Sequence, residues 1–150
     1  MSATNVLSVV PPPGMSAADR ELLKIAEDLL GRLWTDNRHQ VATALRTLDG
    51  KIYTGVHLEG SCRRSSICAE GVAMGTARGG LPGDAPLHLD AVVSVQIKPV
   101  GQFRIIAPCG VCRELISDYS PDARIWLTGD TGIICMPALD MLPHKTRRLW

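Results

Sequence analysis

Aromatic side chains and net charge are both scarce in this sequence. Its 150 residues include 3 Trp, 2 Tyr and 1 Phe, and 16 Lys and Arg are balanced by 15 Asp and Glu, which leaves a net charge of +1. Proteins that bind single-stranded nucleic acid stack bases on aromatic rings, and binding to phosphate backbones or anionic lipid needs a broad cationic field. The composition therefore argues against polymeric nucleic acid and membranes as partners and favours a small molecule.

Long apolar runs are also missing, and residues 1–13 do not resemble a secretion signal. No stretch approaches the roughly 18 apolar residues of a membrane-spanning helix, and the short apolar patch at residues 6–10 has no cationic stretch before it. The 5 cysteines are an odd number. We therefore expect reduced thiols or metal ligands rather than a disulfide framework, and a cytoplasmic location.

The apolar content is sufficient for one folded unit. Apolar residues make up 45% of the chain, and a domain of this length buries about 68–70% of its unfolded surface, which provides a core without disulfides. Residues 1–15 end in Pro-Pro-Pro-Gly-Met. We expect them to form a flexible proline-rich segment, followed by a single domain over residues 16–150.

Periodicity predicts the first three elements. Ser16 and Asp19 have the spacing of a capping box, and the apolar residues that follow recur at helical spacing, which predicts a helix over 17–34. Alternating residues at 41–47 and 52–58 flank Asp49 and Gly50, a pair typical of a tight turn, so these segments form a hairpin.

The remaining elements alternate between helices and strands. We predict a helix from 68 to about 79, a buried strand at 91–95 that 103–107 extends or pairs with, a helix at 109–119, and strands at 124–127 and 132–135. This order predicts an α/β fold of three layers, α-β-α, with a mixed central sheet of about five strands. Sites in such folds lie where strands pass into helices, and both cysteine-bearing segments fall there.

Cys109 and Cys112 form a C-x-x-C motif at the start of a predicted helix. Both sulfurs can reach one ion at about 2.3 Å. On spacing alone, the motif is equally compatible with a redox pair or with half of a zinc ribbon.

A third thiol, Cys68, precedes Glu70 in an otherwise apolar segment. Buried acids are costly unless they are paired or chemically useful, although a solvated glutamate in a first helical turn is the simple alternative. Three cysteine ligands leave the fourth position of a tetrahedral zinc site open for water. Cys62 or Cys135 would close the site, but Cys62 is six residues before Cys68 and Cys135 lies within a predicted strand.

The paired motifs resemble a known family. CAE at 68–70 followed by PCGVC at 108–112 resembles the zinc-dependent cytidine deaminases and the related blasticidin S deaminases. The segment VATALRTLDGKIYTGVHLEG is similar to the first hairpin of that family, and the resemblance extends over most of the chain. It implies a cytidine deaminase-like catalytic domain over 16–150, assembled as a homotetramer.

The resemblance also implies a chemistry. Cys68, Cys109 and Cys112 would hold Zn²⁺, and Glu70 would carry protons while water displaces an amine from a pyrimidine-like ring. The implied enzyme is a hydrolase acting on C–N bonds of cyclic amidines. It converts cytidine or deoxycytidine to uridine or deoxyuridine with release of ammonia, a reaction of pyrimidine metabolism.

The resemblance assigns substrate contacts as well. Glu59 lies in HLEG, where the family has Asn-x-Glu-Asn, and would accept a hydrogen bond from a sugar hydroxyl. The backbone of Ala69 would read the exocyclic amine, and His57 and His39 sit where the substrate would lie, unless they are polar fill. Trp150 would stack over a ring as a lid, with a frayed terminus as the alternative.

Two other functions stay open at this point. Gly71 replaces the family's usual Arg, and the segment at 79–104 is longer than is typical, which would reshape the entrance to the site. The substrate could then be a modified aminopyrimidine nucleoside or a nucleoside antibiotic, as for blasticidin S deaminase. A zinc-binding protein without turnover is the alternative from a different class.

Overall fold

Three α-helices and six β-strands make up the part of the chain that the computed structural model describes, residues 5–148 without the Arg63 side chain. In chain order they are α1 (Ala17–Leu33), β1 (Val41–Thr47), β2 (Ile52–Val56), α2 (Ala69–Gly79), β3 (Leu89–Ile97), β4 (Phe103–Ile105), α3 (Gly110–Tyr119), β5 (Arg124–Gly129) and β6 (Gly132–Pro137). Every helix and strand predicted from the sequence is confirmed, with shifts of a few residues at the ends.

The strands form one mixed sheet in the order β2-β1-β3-β5-β6. β3 and β5 are parallel, and the other neighbours are antiparallel. β4 pairs separately with the end of β3, from Val95 to Ile97, beyond the residues that pair with β5. The sheet therefore has six strands where the sequence predicted about five, because 103–105 turns back to pair with β3.

The helices cover the two faces of this sheet, as the α-β-α prediction requires. On one face, Leu22, Ala26 and Leu30 of α1 are fully buried in a core with strand side chains such as Val93. On the other face, α2 and α3 share a second core with Leu45. Ser16 caps α1, since its hydroxyl accepts a hydrogen bond from the Asp19 backbone N–H at 3.2 Å.

Helix α2 packs unusually close to strand β2. A Cβ atom built on Gly55 would lie 2.4 Å from the Ala69 carbonyl oxygen and 2.4 Å from the Ala73 backbone nitrogen. Any side chain at this position would have to displace the first turn of α2. The glycine thus fixes the distance between the hairpin and the helix that follows Cys68.

A buried ion-pair network joins α1 to the sheet. The carboxylate of Asp19 is fully buried, receives a hydrogen bond from Trp126 Nε1 at 2.9 Å, and pairs with Arg46 at 2.6 Å and with Arg124. Asp90 pairs with the same two arginines. Burial alone would raise the pKa of Asp19. The hydrogen bonds from Arg124, Arg46 and Trp126 outweigh this effect and hold the pKa at about 2.

Residues 5–15 lie against this body. The Leu7 N–H donates to the Gly101 carbonyl at 2.8 Å, the Phe103 N–H donates to the Leu7 carbonyl at 2.9 Å, and the Val9 N–H donates to Glu27 Oε1 at 2.7 Å. Within residues 5–148, no helix combines the length and apolar content needed to cross a membrane.

Candidate active site

Three cysteines meet at the first turns of two helices. Cys68 is the N-cap residue of α2, Cys109 is the N-cap residue of α3, and Cys112 lies in the first turn of α3. Both α2 and α3 follow segments that leave the sheet. The sheet topology therefore brings the first residues of the two helices together at one edge of the sheet. The positive ends of two helix dipoles favour negative charge on these sulfurs.

The three sulfur atoms fit a single metal ion. All lie within 4.8 Å of one another, and the Sγ atoms of Cys68 and Cys109 are 3.5 Å apart. Sulfurs at about 2.3 Å from a tetrahedral zinc ion are about 3.8 Å apart, so closure onto zinc needs only small movements. Cys62 and Cys135 are exposed and lie outside this group, which keeps a three-sulfur arrangement in the described part of the chain.

The pKa shifts of the three thiols also favour a bound cation. Burial raises the pKa of Cys112, and the negative charge of Glu70 raises it further. Burial and a hydrogen bond with Cys109 raise the pKa of Cys68. Burial opposes ionisation of Cys109 too, but hydrogen bonds from backbone N–H groups, that of Cys112 foremost, leave its pKa below the ordinary value. Three adjacent thiolates therefore require a bound positive charge.

Glu70 lies beside the cysteines and is almost completely buried, with 4% of its surface exposed. Its Oε2 accepts a hydrogen bond from the Cys112 thiol at 3.5 Å, and its Oε1 accepts one from the Ser94 hydroxyl at 3.1 Å. Glu70 is therefore not a solvated glutamate but a buried carboxylate that faces the Cys112 sulfur.

An open cavity of about 250 Å³ adjoins this group. Its lining combines the site residues with side chains from β1, β3 and the segment after β4: Gln40, Val41, His57, Cys68, Ala69, Glu70, Gln96, Ile106, Ala107 and Cys109. A carboxylate and two thiols at the wall of a pocket of this size can act on one small organic molecule.

Two of the residues predicted to contact substrate line the cavity, and two others contact His57. His57 and Ala69 line it directly. Glu59 lies behind His57, with Oε2 at 3.2 Å from His57 Nε2 and Oε1 accepting a hydrogen bond from Ser66. His39 Nδ1 is 2.8 Å from the His57 carbonyl oxygen. Trp150 lies outside the described residues.

His57 carries an unsatisfied polar atom. Its Nδ1 is buried and has no hydrogen-bond partner in the described chain. A buried nitrogen without a partner is costly, and here it belongs to a side chain on the cavity wall. His57 therefore has hydrogen-bonding capacity to offer a ligand.

Sequence reasoning missed four polar residues in this region: Gln40, Thr43, Ser94 and Gln96. The two glutamines line the cavity, and the two hydroxyl groups are buried beneath Glu70. A sequence signal for Ser94 exists, since this polar residue interrupts the apolar run AVVSV of a central strand. Thr43 and Gln96 can be placed only once the register between β1 and β3 is known, and Gln40 lies directly before β1.

Known proteins resemble this chain along most of its length. It is 33% identical over 138 residues to blasticidin-S deaminase of Bacillus cereus, and the match covers 89% of this chain and 96% of that protein. The chain belongs to the cytidine deaminase-like family. The sequence-based assignment to this family is confirmed, although no family model matches the chain.

Two further comparisons support membership of the cytidine deaminase-like family. The chain is 30% identical over 111 residues to a probable cytidine deaminase of Dictyostelium discoideum, covering 73% of this chain and 65% of that protein. Its fold is similar to the crystal structure of cytidine deaminase from Burkholderia pseudomallei, with a TM-score of 0.69 and 26% identity over 85% of this chain and 98% of the other. The predicted fold class is therefore confirmed.

Proposed function

We propose that this protein is a zinc-dependent hydrolase that deaminates a cytosine nucleoside, converting cytidine or deoxycytidine to uridine or deoxyuridine and ammonia. The observation that carries the proposal is the buried Glu70 carboxylate, 3.5 Å from the Cys112 sulfur of a three-thiol group on the wall of a cavity. A metal site with three protein ligands and an adjacent acid is the arrangement of catalytic rather than structural zinc.

Cys68, Cys109 and Cys112 would hold the zinc ion as thiolates. When bound there, Zn²⁺ supplies the Lewis acidity that makes water a nucleophile at neutral pH. The sulfurs come from two different helices, so the ion also ties α2 to α3. Cys135 and Cys62 are exposed and take no part in this proposal.

Glu70 would move the protons of the reaction. Its Oε1 is engaged by Ser94, which leaves Oε2, the oxygen that faces Cys112, to take a proton from the attacking water. That oxygen would then deliver the proton to the ring nitrogen and assist the departure of ammonia. Overall, one water is consumed, the C–N bond to the exocyclic amine breaks, and a carbonyl replaces it.

Substrate contacts follow from the positions around the cavity. The Ala69 backbone and His57 border it, and the unpartnered His57 Nδ1 supplies a hydrogen bond that a ligand can complete. We propose that Glu59 and His39 hold His57 in place. Glu59 would also accept a hydrogen bond from a sugar hydroxyl, since its side chain is 40% exposed. Stacking of Trp150 on the substrate ring stays a prediction from the sequence, because this residue lies outside the described part of the chain.

A second substrate class has its own support. The match to blasticidin-S deaminase spans 96% of that protein, whereas the match to the probable cytidine deaminase spans 65% of its length. The sequence HLEG at 57–60 also lacks both amides of the family's sugar-binding pattern. These observations favour a cytosine-containing nucleoside antibiotic such as blasticidin S as the alternative substrate.

Ammonia release from a nucleoside panel tests the proposal. Purified protein with measured zinc content is incubated with cytidine, deoxycytidine, cytosine and blasticidin S, and the product is identified by mass. Turnover of cytidine or deoxycytidine supports the proposed function, and turnover confined to blasticidin S supports the alternative. Stoichiometric zinc without ammonia from any nucleoside would mark a non-catalytic zinc protein.

We also propose a homotetramer located in the cytoplasm. Strand β6 is an edge strand, and its outer backbone edge has no neighbouring strand in the described chain. It also exposes Ile134 and Cys135. Such an edge suits packing against another copy of the chain. Unpaired thiols at all five cysteines suit a reducing compartment. Light scattering at several concentrations tests the assembly.

A further inference from the structure

Two buried hydroxyl groups connect the sheet to Glu70. The Ser94 hydroxyl on β3 donates to Glu70 Oε1 at 3.1 Å, and Thr43 Oγ1 on β1 lies 2.7 Å from Ser94 Oγ. The exposed fraction is 0% for Thr43 and 3% for Ser94. The three side chains form a hydrogen-bonded chain that begins in the sheet and ends on the carboxylate.

The strand register explains why this pair lies under the site. β1 and β3 are antiparallel, with Leu45 opposite Val92, Thr43 opposite Ser94, and Val41 opposite Gln96. Because side chains alternate across a strand, these three pairs follow one another on the same face. The first pair packs in the apolar core and the third borders the cavity. The hydroxyl pair lies between them, directly below Glu70.

The direction of the hydrogen bonds follows from proton counting. An ionised carboxylate only accepts hydrogen bonds, so the single hydroxyl proton of Ser94 is committed to Glu70. The Thr43 hydroxyl must then donate to the Ser94 oxygen. Each group fixes the rotamer of the next, and Glu70 Oε2 is left facing Cys112.

We propose that Thr43 and Ser94 are positioning residues that hold the Glu70 carboxylate in its working orientation. Ser94 acts directly on Oε1, and Thr43 acts through Ser94. Neither side chain borders the cavity, so neither is expected to contact the substrate. This inference rests on the proposed deaminase function and adds to it the part of the sheet that prepares the acid for proton transfer.

The chain offers a set of matched variants. Ser94→Ala removes the hydroxyl that holds Oε1. Thr43→Val keeps the shape of threonine and removes its hydroxyl, whereas Thr43→Ser keeps the hydroxyl and removes the methyl group. Ser120→Ala serves as control, because Ser120 is buried and hydrogen-bonded to the Leu89 N–H but lies away from Glu70.

Steady-state kinetics separate positioning from binding. We expect Ser94→Ala to lower kcat by about 10- to 100-fold, the worth of a hydrogen bond to a charged group, with KM within about 2-fold. Thr43→Val should lower kcat by about 3- to 10-fold, whereas Thr43→Ser and Ser120→Ala stay within about 2-fold of the parent. The double variant Ser94→Ala/Thr43→Val should be no slower than Ser94→Ala, since Thr43 acts only through Ser94.

A crystal structure of Ser94→Ala provides a readout that is independent of turnover. We expect Glu70 to occupy more than one rotamer there, with zinc content unchanged. A single unchanged rotamer, kcat of both Ser94→Ala and Thr43→Val within 2-fold of the parent, or equal losses in Thr43→Ser and Thr43→Val would each overturn the inference. If the parent protein deaminates no nucleoside, the proposed function fails, and the Glu70 rotamers still decide the positioning claim.

Discussion

Cys68 and Cys109 are 41 positions apart in the chain, yet their sulfur atoms lie 3.5 Å from each other, each at the N-cap of its own helix. Neither helix start is anchored by a side-chain cap hydrogen bond from these residues. The proposed zinc ion would be a ligand shared by both sulfurs, and the effects of losing it can be measured.

Replacement of Cys109 by serine should abolish tight metal binding. The zinc content is expected to fall from about one per chain to near zero, and the melting temperature to fall by about 10 °C, because metal bound to the folded state stabilises it by mass action. Elemental analysis and thermal unfolding measure both effects. Cys135→Ser, on the exposed edge strand, is the control and should keep its zinc. Full zinc content in Cys109→Ser would contradict the proposed ligand set.

Replacement of Glu70 by glutamine should separate metal binding from turnover. The amide keeps the size of the side chain but cannot accept and return a proton, so kcat should fall by about 100- to 10,000-fold. Because the three sulfurs are untouched, zinc content should stay at one per chain. Steady-state ammonia release at saturating substrate, with zinc quantified in the same sample, gives both numbers, and retained activity would remove Glu70 from the proton path.

Replacement of Glu59 by alanine should weaken substrate binding more than it slows the chemical step. Glu59 holds His57 through Nε2 at 3.2 Å and is itself partly exposed. We expect KM to rise by about 10-fold with a smaller change in kcat, as for loss of a hydrogen bond made in both the ground and transition states. Glu21→Ala, exposed on α1, is the control. An unchanged KM in Glu59→Ala would exclude the assignment.

Acid should weaken the fold through Asp19. Its pKa is lowered from 3.8 to about 2 in the folded chain, so its contribution to stability is complete above the unfolded pKa and is lost as the pH falls toward 2. That contribution is worth about 2 kcal/mol. Urea unfolding between pH 7 and pH 2.5 measures it.

The variant Asp19→Asn isolates this effect. It should be less stable than the parent by about 3 kcal/mol at pH 7, since it leaves Arg46 and Arg124 short of a partner, and the difference should shrink in acid. Asp28→Asn removes only an exposed pair with Lys24 and should change stability by less than about 0.5 kcal/mol. Parallel pH profiles for parent and Asp19→Asn would show that another group is responsible.

Most of the secondary structure could be predicted from local sequence patterns. The capping residue Ser16, the turn at Gly50 and the alternation in β1 each act within a few neighbouring residues, and these elements were predicted closely. The spacing of Cys109 and Cys112 is equally local. The match of CAE with PCGVC linked the two cysteine segments, and the structure brings their sulfurs together.

The rest of the fold and of the candidate site depends on contacts between segments that are distant in the sequence. Pro99 and Gly101, which are typical turn residues, lie between β3 and β4, but they do not show with which strand the next segment pairs. The segment 103–107 could therefore only be described as extending or pairing with the strand before it. Thr43 looks like any residue of an alternating strand until its partner across the sheet is known to be Ser94. Thr43 and Gln96 were therefore missed because strand register defines their place in the site.

The close packing at Gly55 limits how far the proposed active site can vary. Even one methyl group there would collide with the backbone of α2 at 2.4 Å and push the helix outward, carrying Cys68 and Glu70 away from Cys109 and Cys112. The hydrogen atom of a glycine on a hairpin strand thus acts as a spacer, and contacts between main-chain atoms set the separation of the two cysteine-bearing helices.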